Sequence, residues 1–217
     1  LGSSSLYQQS ALRLVSSKYL KLEPHLTLTN SDFRFIAHDQ LISLGLNPGD
    51  ILIEPESKNT GPAILAASLY LYKRDKNAVL LVAPSDHIID DFAALHNVVN
   101  IGLSHVENGN LVTFGITPTH PETGYGYLKV RKEKLSSHGD SFVKHFVEKP
   151  NLDKAKKMLD AGDYLWNAGI FLFKASDMIT AYEQFEPLTL SNVENAVSKA
   201  KNDLGFLRLN AEFWSKL

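Results

Sequence analysis

The sequence predicts an α/β fold, with a doubly wound, mostly parallel β-sheet covered by helices on both faces. Two observations favour this fold class. Short apolar runs such as 78–83 contain no polar residue, which is typical of strands buried on both faces. Segments with helical spacing of apolar residues lie between such runs, so that strand and helix alternate four times before Gly115. The 217 residues suffice for one large domain, and we expect a single domain over 1–217.

The individual elements follow from apolar spacing and from turn residues. In chain order we predict strands at 26–29, 51–53, 78–83 and 111–115, with helices at 30–44, 60–74 and 92–108 between them. The pattern changes after Gly115. There we predict strands at 127–130, 142–147 and 170–173, a helix at 152–161, a mainly helical tail from 176, and a charged, Ser-rich connector at 132–140.

Composition excludes several classes of protein. The net charge is −2, which gives no basic surface for nucleic acid, and no apolar run approaches the roughly 20 residues that span a bilayer. The chain has no Cys, which excludes disulfides, zinc–thiolate sites and thiolate catalysis. No secretory signal is visible, so we expect a cytoplasmic protein without nucleic-acid or membrane partners.

Polar clusters lie at the ends of predicted strands or in the loops beside them. In an open α/β sheet, ligands bind beyond the carboxyl ends of the strands, so these clusters together predict a crevice lined by carboxylates, amides, a Lys and backbone donors. The clusters are Glu54 with Lys58-Asn59-Thr60, Ser85-Asp86-His87, Glu122-Thr123-Gly124-Tyr125-Gly126, Glu148-Lys149, and Trp166-Asn167-Ala168-Gly169.

Asp86 is the most informative of these residues, because it follows the apolar run 78–83 almost directly. A carboxylate at that place suits a hard cation such as Mg²⁺ that arrives with phosphates. The alternative is that Ser85 or Asp86 caps the next helix. The chain contains neither a P-loop nor a GxGxxG motif, and Gly124-Tyr125-Gly126 precedes a strand, which excludes a dinucleotide cofactor site.

Five blocks in the chain resemble the ordered motifs of bacterial mannose-1-phosphate guanylyltransferases, the type often fused to a mannose-6-phosphate isomerase domain. The blocks are 54–64 with Glu54-Pro55 and Asn59-Thr60-Gly61-Pro62, 83–87, 114–127 with Phe114-Gly115-Ile116-Thr117-Pro118 and Pro121-Glu122-Thr123-Gly124-Tyr125-Gly126-Tyr127, Phe146-Val147-Glu148-Lys149-Pro150, and Trp166-Asn167-Ala168-Gly169-Ile170-Phe171. The resemblance covers essentially the whole chain. It implies a Rossmann-like fold of the nucleotide-diphospho-sugar transferase type, and Mg²⁺-dependent joining of mannose 1-phosphate and GTP to give GDP-mannose and pyrophosphate.

The same resemblance assigns roles to particular residues, each beside a structural alternative. It makes Asp86 a catalytic residue and metal ligand. Glu148 would accept hydrogen bonds from sugar hydroxyls, and Lys149 would meet the sugar phosphate as a point charge; the alternatives are a surface carboxylate and a solvated Lys paired with it. Gly124 would let the backbone approach the hexose, and Tyr125 would either line the sugar pocket or only pack.

Asn167 would bind the sugar or its phosphate, or would only stabilise a turn. Glu54, Asn59 and Thr60 match the part of the family that reads the base. Guanine offers N–H donors that complement a carboxylate, while Asn59 and Thr60 could instead cap a helix.

The resemblance also implies two further blocks, a Gly-rich triphosphate loop before Leu1 and a second metal-ligating Asp after Leu217. We therefore expect the domain to be incomplete at both ends and this segment alone to be inactive. Two alternative functions stay open: the nucleotidyl half of a bifunctional isomerase–guanylyltransferase, and a non-catalytic subunit that binds sugar nucleotide. A homodimer is compatible with the sequence, which does not decide it.

Overall fold

A computed structural model describes residues 4–131 and 139–217, so the connector predicted at 132–140 lies mostly outside the described residues. The helices are α1 (Leu6–Arg13), α2 (Arg34–Ser43), α3 (Thr60–Arg74), α4 (Phe92–Glu107), α5 (Leu152–Ala161), α6 (Ala175–Phe185), α7 (Pro187–Ser198) and α8 (Ala211–Trp214). The strands are β1 (Leu26–Asn30), β2 (Asp50–Glu54), β3 (Val79–Val82), β4 (Val112–Ile116), β5 (Tyr127–Val130), β6 (Val143–Val147), β7 (Tyr164–Lys174), β8 (Lys201–Asp203) and β9 (Phe206–Arg208). Within these ranges, no helix has both the length and the apolar character needed to cross a bilayer.

The strands form two sheets. In the first sheet the strand order is β1-β2-β9-β8, with β2 parallel to both β1 and β9, and β8 antiparallel to β9. In the second sheet the long strand β7 is antiparallel to β3, β4 and β5, and β6 is antiparallel to β5. The α/β fold class is confirmed, but only two of the seven pairings between described strands are parallel, fewer than predicted.

The antiparallel pairs include one that a short connection requires and three that involve β7. A parallel pair requires a crossover connection of a dozen or more residues, which the two-residue connection between β8 and β9 cannot provide. Strand β7 also runs against every strand that it contacts. The single predicted sheet is divided in the described residues, although Leu26 and Leu28 of β1 pack in the same hydrophobic cluster as Leu80 and Val82 of β3.

Strand β7 is covered by helices on both faces, as predicted for the sheet. Its residues Ala168, Ile170 and Leu172 pack with α4, whereas Phe173 packs with α3 and Leu80. Alternate residues of a strand point to opposite faces, so the two helices cover opposite faces of the same strand. Phe173 and Leu172 are almost completely buried, at 0% and 2% exposure. The core of the second sheet is therefore built around β7.

Two elements differ from the sequence-based predictions. Strand β7 begins at Tyr164 rather than at 170, because Asn167 N donates to Gly126 O and continues the pairing through residues that interrupt the apolar pattern. The tail is mainly helical, as predicted, but β8 and β9 form a hairpin within it that was not predicted. Asn202 and Asp203 have low strand propensity, and the hairpin forms because β9 pairs with β2.

The C-terminal helix α8 supports the loop after β2. Trp214 is fully buried, and its indole nitrogen donates a hydrogen bond of 2.8 Å to Glu56 O. Lys58 Nζ donates to Leu217 O at 3.0 Å. These contacts hold the loop that leads into α3, where Asn59 and Thr60 lie.

The two Trp residues provide a matched test of this contact. The indole N–H of Trp214 donates to Glu56 O, whereas the buried indole N–H of Trp166 has no described partner. Both changes to Phe remove similar ring area, but only Trp214→Phe breaks a hydrogen bond. We expect Trp214→Phe to lower the free energy of unfolding by about 1 kcal/mol more than Trp166→Phe, measured by urea denaturation. Equal losses would show that the bond contributes nothing.

Candidate functional site

The site is organised by a break along one edge of β7. Phe171 and Leu172 pair with both β3 and β4, so β3 and β4 lie on opposite edges of β7. Trp166 pairs with both β4 and β5, so β4 and β5 also lie on opposite edges. Strands β3 and β5 therefore share one edge. Strand β3 ends opposite Phe171 and β5 begins opposite Trp166, which leaves a break between them beside residues 167–170.

The loop that carries Asp86 leaves β3 alongside β7. A Cβ on Gly169, whose φ is +65°, would lie 3.5 Å from Pro84 Cγ, so the chain after β3 still follows β7 at Pro84. The antiparallel register, with Val82 opposite Phe171, then carries the chain towards Asn167. Asp86 is exposed, and its carboxylate makes no hydrogen bond with the described residues.

The alternative role for Ser85 and Asp86, capping the next helix, is wrong. Helix α4 begins at Phe92, and its N-cap is Asp91, whose Oδ1 accepts a hydrogen bond of 2.8 Å from Ala94 N. Because the N-cap lies five residues beyond Asp86, the carboxylate of Asp86 is not used by the helix end. The sequence alone could not decide this, since Ser and Asp are both good caps.

Residues of β5 and β6 form the other side of the break. Gly126 O accepts a hydrogen bond of 2.8 Å from Asn167 N, and Lys149 N donates to Tyr125 O at 3.2 Å. A Cβ on Gly126 would lie 3.0 Å from Glu148 Oε2. Asn167, Gly126 and Glu148 thus form a row across β7 and the adjoining ends of β5 and β6.

Glu148 and Lys149 present their charged groups to solvent at the end of this row. Their side chains are 59% and 65% exposed, and Glu148 Oε1 lies 3.7 Å from Lys149 Nζ. An ion pair this exposed contributes little to stability, so both groups can exchange their contact for a ligand. The paired alternative and the binding role are therefore compatible.

Three aromatic rings line the same row. Trp166 is 8% exposed, and its ring meets the rings of Tyr125 and His120 edge to face, with centroids 5.3 and 4.9 Å away. Tyr125 packs in this way while half exposed, and its role in a sugar pocket stays a prediction. His120 and Trp166 were not among the predicted site residues, although Trp166 lies in a quoted block.

The loop that carries Gly124 is fixed by Glu122. Its carboxylate Oε1 accepts from Gly124 N at 2.8 Å and from Thr123 N at 2.7 Å, and His120 Nε2 lies 3.4 Å from Oε2. The bonds from Gly124, Thr123 and His120, in that order, lower the pKa of Glu122. Glu122 therefore stays ionised and shapes the loop, a role that the sequence reading left out.

The side-chain amide of Asn167 is only partly used. Its Oδ1 accepts from Thr113 Oγ1 at 2.9 Å, whereas its amide nitrogen has no hydrogen-bond partner among the described residues. The turn alternative for Asn167 is wrong, because the residue lies inside β7. The amide donors of Asn167 are thus available to a ligand that reaches this part of β7.

Glu54 lies on the other sheet, and Asn59 and Thr60 lie at the start of α3, the helix that follows it. Glu54 ends β2, its carboxylate makes no described hydrogen bond, and burial raises its pKa. Asn59 precedes α3 with φ 60° and ψ −167°, a region favoured by Gly, and its side chain makes no capping bond. The capping alternative for the Asn59 side chain is therefore wrong. No hydrogen bond, ion pair or ring contact in 4–131 and 139–217 joins these three residues to the row around Asn167.

Backbone strain coincides with the predicted site. The described residues other than Gly with positive φ are Asn59, Lys149 and Leu204, and two of these three are predicted site residues. Such conformations cost roughly 1–3 kcal/mol each and concentrate at functional sites. The observation is independent of the motifs.

The chain belongs to the nucleotidyl transferase family, whose family model matches residues 2–216. It is 40% identical over 212 residues to the xanthan biosynthesis protein XanB of Xanthomonas campestris pv. campestris, covering 98% of this chain and 44% of that protein. It is 39% identical over 215 residues to the mannose-1-phosphate guanylyltransferase of Salmonella montevideo, covering 97% of this chain and 44% of that protein.

The fold is also similar to a solved structure. The crystal structure of mannose-6-phosphate isomerase from Helicobacter pylori matches with a TM-score of 0.87 at 30% identity, over 100% of this chain and 82% of that chain. The resemblance to mannose-1-phosphate guanylyltransferases is thereby confirmed. The chain spans less than half the length of the two curated relatives, 44% of each.

Gly126 offers a test of the row. A Cβ at Gly126 would lie 2.7 Å from Phe146 Cζ and 3.0 Å from Glu148 Oε2, whereas a Cβ at Gly124 meets only Glu122 Oε1, at 3.4 Å. We expect Gly126→Ala to lower the free energy of unfolding by about 1–3 kcal/mol, and Gly124→Ala to change it by less than about 1 kcal/mol. Urea denaturation of both variants measures the difference. Equal stability would place Glu148 away from Gly126.

The raised pKa of Glu54 predicts a pH-dependent stability. Because the folded state holds this proton more tightly than the unfolded chain, its stabilising effect is complete below the ordinary value of 4.5 and is lost as pH rises through the folded pKa. Glu54→Gln is neutral at every pH. We expect it to match the wild type at low pH and to be more stable at neutral pH, in urea denaturation across that range. Glu194→Gln, at an exposed site on α7, is the control. A pH-independent difference would contradict the burial of the Glu54 charge.

Proposed function

We propose that the protein carrying this chain joins mannose 1-phosphate and GTP to give GDP-mannose and pyrophosphate, with Mg²⁺. The main support is the row of Asn167, Gly126 and Glu148 beside β7, together with the course of the loop that carries Asp86, which still follows β7 at Pro84. The named activity of the Salmonella relative supports the same reaction. A relative named for xanthan biosynthesis supports a role in supplying sugar nucleotide for polysaccharide.

The reaction asks the protein mainly for positioning. A phosphate oxygen of mannose 1-phosphate attacks the α-phosphorus of GTP, and the bond from that phosphorus to pyrophosphate breaks. The sugar phosphate is itself the nucleophile, so no nucleophilic side chain is needed. The charges that approach one another must be neutralised and held in line, which a carboxylate-held cation and a Lys can do.

Asp86 is the residue that would hold Mg²⁺. Its carboxylate is exposed, is not engaged by a helix end and has no described hydrogen bond. The described residues contain no group of three or more His, Asp or Glu that could form a protein cage. This fits Mg²⁺, which is usually bound by one or two carboxylates together with substrate phosphates. When bound, the ion would neutralise charge on the phosphates that react.

The sugar phosphate would lie along the row beside β7. Glu148 would accept hydrogen bonds from two sugar hydroxyls, and the free amide of Asn167 would donate to the ligand. Tyr125, packed on Trp166, would form one wall, and Gly124 would allow the backbone to approach the hexose. Lys149 would neutralise the phosphate charge, for which its exposed ammonium is free to move.

The nucleotide would bind nearer the end of β2. Glu54 has an unpartnered carboxylate that complements the N1–H and N2–H₂ donors of guanine. The N-terminus of α3 has no side-chain cap, so Asn59 and Thr60 are available to the nucleotide. The proposal includes a cytoplasmic protein, and leaves open whether it is a homodimer.

Two alternatives are kept because observations favour them. The Helicobacter match is named an isomerase, which favours the nucleotidyl half of a bifunctional enzyme. The exposed, loosely paired Glu148 and Lys149 would also suit a subunit that binds sugar nucleotide without turnover. Isomerisation of mannose 6-phosphate and binding of GDP-mannose are therefore measured beside the main assay.

The main experiment measures pyrophosphate release by the full-length protein with mannose 1-phosphate and Mg²⁺, comparing GTP with ATP, dTTP and UTP. We expect release with GTP. Asp86→Ala should lower kcat at least about 100-fold, and Glu148→Gln should raise KM for mannose 1-phosphate about 10-fold while KM for GTP changes little. The controls are Asp160→Ala and Glu194→Gln, at exposed sites on α5 and α7.

Each outcome decides between the alternatives. Normal turnover in Asp86→Ala would overturn the metal assignment. No release with any nucleotide, from a protein that still binds GDP-mannose, would favour the regulatory subunit. Release together with isomerisation would identify a bifunctional enzyme.

A further inference from the structure

The loop that carries Asp86 is held by one helix. Residues 84–90 lie between the end of β3 at Val82 and the start of α4 at Phe92. Within 4–131 and 139–217, every hydrogen bond between this loop and the rest of the protein comes from two side chains of α1. Apolar contact adds Ile89, which packs on the cluster beneath α4.

Arg13 provides most of these bonds. Its Nη1 donates to His87 O at 2.5 Å, and its Nη2 donates to Pro84 O at 3.2 Å. Ser10 Oγ donates to the same Pro84 carbonyl at 3.0 Å and accepts from Arg13 Nη2 at 2.9 Å. The guanidinium therefore bridges both ends of the segment Pro84–His87, and Asp86 lies between its two points of attachment.

The burial of Arg13 is unusual for its charge. The residue is 1% exposed, and its Nε has no described partner. Burying a guanidinium is costly unless its donors are satisfied, and this one is satisfied largely by carbonyls of the loop. A Lys at this place would keep the charge but would lack the planar fork that reaches two carbonyls at once.

The backbone of Arg13 is anchored in turn. Arg13 O lies 2.8 Å from Nε2 of His96, which is 6% exposed on α4. A carbonyl can only accept, so His96 Nε2 donates this bond, and His96 Nδ1 lies 3.0 Å from Ser17 Oγ. Arg13 is thus fixed at its main chain by α4 and at its side chain by the loop.

Asp86 is the charged group that acts on Arg13. Burial lowers the pKa of Arg13, and the attraction of the Asp86 carboxylate opposes that effect. The guanidinium remains a cation, because an Arg in a protein does not deprotonate at accessible pH. Its charge therefore lies on the inner side of the loop while Asp86 is exposed on the outer side.

We propose that Arg13 is a positioning residue that, with Ser10, clamps the Pro84–His87 segment. The clamp would hold the Asp86 carboxylate towards the break between β3 and β5 along the edge of β7. The proposal rests on the proposed role of Asp86. It differs from a purely structural role because it predicts an effect on the loop and on the function of Asp86 that exceeds any effect on folding.

The test compares the wild type with three single variants of the full chain, Arg13→Met, Arg13→Lys and Ser10→Ala. Arg74→Met is the control, since Arg74 is an exposed Arg whose partner is Asp50. Backbone amide order parameters of residues 85–88, measured by NMR without metal or substrate, should fall from about 0.85 to below about 0.6 in Arg13→Met. They should fall less in Arg13→Lys and Ser10→Ala, and should stay unchanged in Arg74→Met. Unfolding midpoints of all variants are recorded in parallel.

The second readout is kinetic and is made on the full-length protein at saturating GTP. We expect Arg13→Lys to lower kcat about 10- to 100-fold and to raise the apparent Mg²⁺ constant, the Mg²⁺ concentration that gives half-maximal rate. KM for mannose 1-phosphate should stay within about 2-fold. A merely structural residue would lower the unfolding midpoint and the amount of folded protein but would leave the Mg²⁺ constant unchanged. If Arg13→Met does not fold, Arg13→Lys and Ser10→Ala carry both readouts.

The outcomes separate this proposal from the proposed function. Unchanged order parameters in the Arg13 and Ser10 variants would overturn the clamp, whatever the activity. A loosened loop with unchanged kcat and Mg²⁺ constant would overturn the positioning role. If Asp86→Ala turns over as fast as the wild type, the metal role of Asp86 fails and the positioning role fails with it, even if the order parameters confirm the clamp; no turnover by the wild type with any nucleotide would overturn the proposed function instead.

Discussion

The arrangement of the site depends on one constraint, the sharing of a single edge of β7 by two strands. Because β4 occupies the opposite edge, β3 and β5 must follow one another along β7 and cannot both extend through its middle. The chain must leave this edge of β7 after Val82 and return to it only at Tyr127. The segments that follow β3 and precede β5 therefore lie along the same part of β7.

The space around Gly126 in the same region is small. The row of Asn167, Gly126 and Glu148 has no room for a Cβ at Gly126, and the aromatic rings of His120, Trp166 and Tyr125 fill the space beside it. A larger residue at Gly126 would displace the half-exposed side chains of Phe146 and Glu148. The sugar-binding proposal thus depends on small residues as much as on charged ones.

Much of the fold was predictable from sequence, because apolar spacing reports burial directly. Helix α3 was predicted with its observed bounds, since Pro62 suits a first turn and its apolar residues have helical spacing. The start of β7 was not predictable, because Asn167 and Gly169 are retained there by pairing with a distant segment rather than by local preference. The pairing direction of β3 was likewise invisible, since an apolar run does not reveal its neighbours.

The candidate site was predictable only in part, for a similar reason. Residue type and the family motifs were enough to predict Asp86, Glu148 and Asn167 as site residues. By contrast, Arg13 and Ser10 lie in an ordinary amphipathic helix about 70 residues from the loop that they hold. Nothing local marks such residues.

The double-sided burial of β7 also limits how the chain length can vary in related proteins. Ala168, Ile170 and Leu172 face α4 while Phe173 faces α3, and a strand alternates its faces with every residue. Inserting or deleting one residue between Asn167 and Phe171 would exchange the two faces on one side of the change. Either the core contacts or the position of Asn167 would be lost. The spacing from Trp166 to Phe171 should therefore be constant wherever this arrangement is used, while segments outside the sheets are free to differ in length.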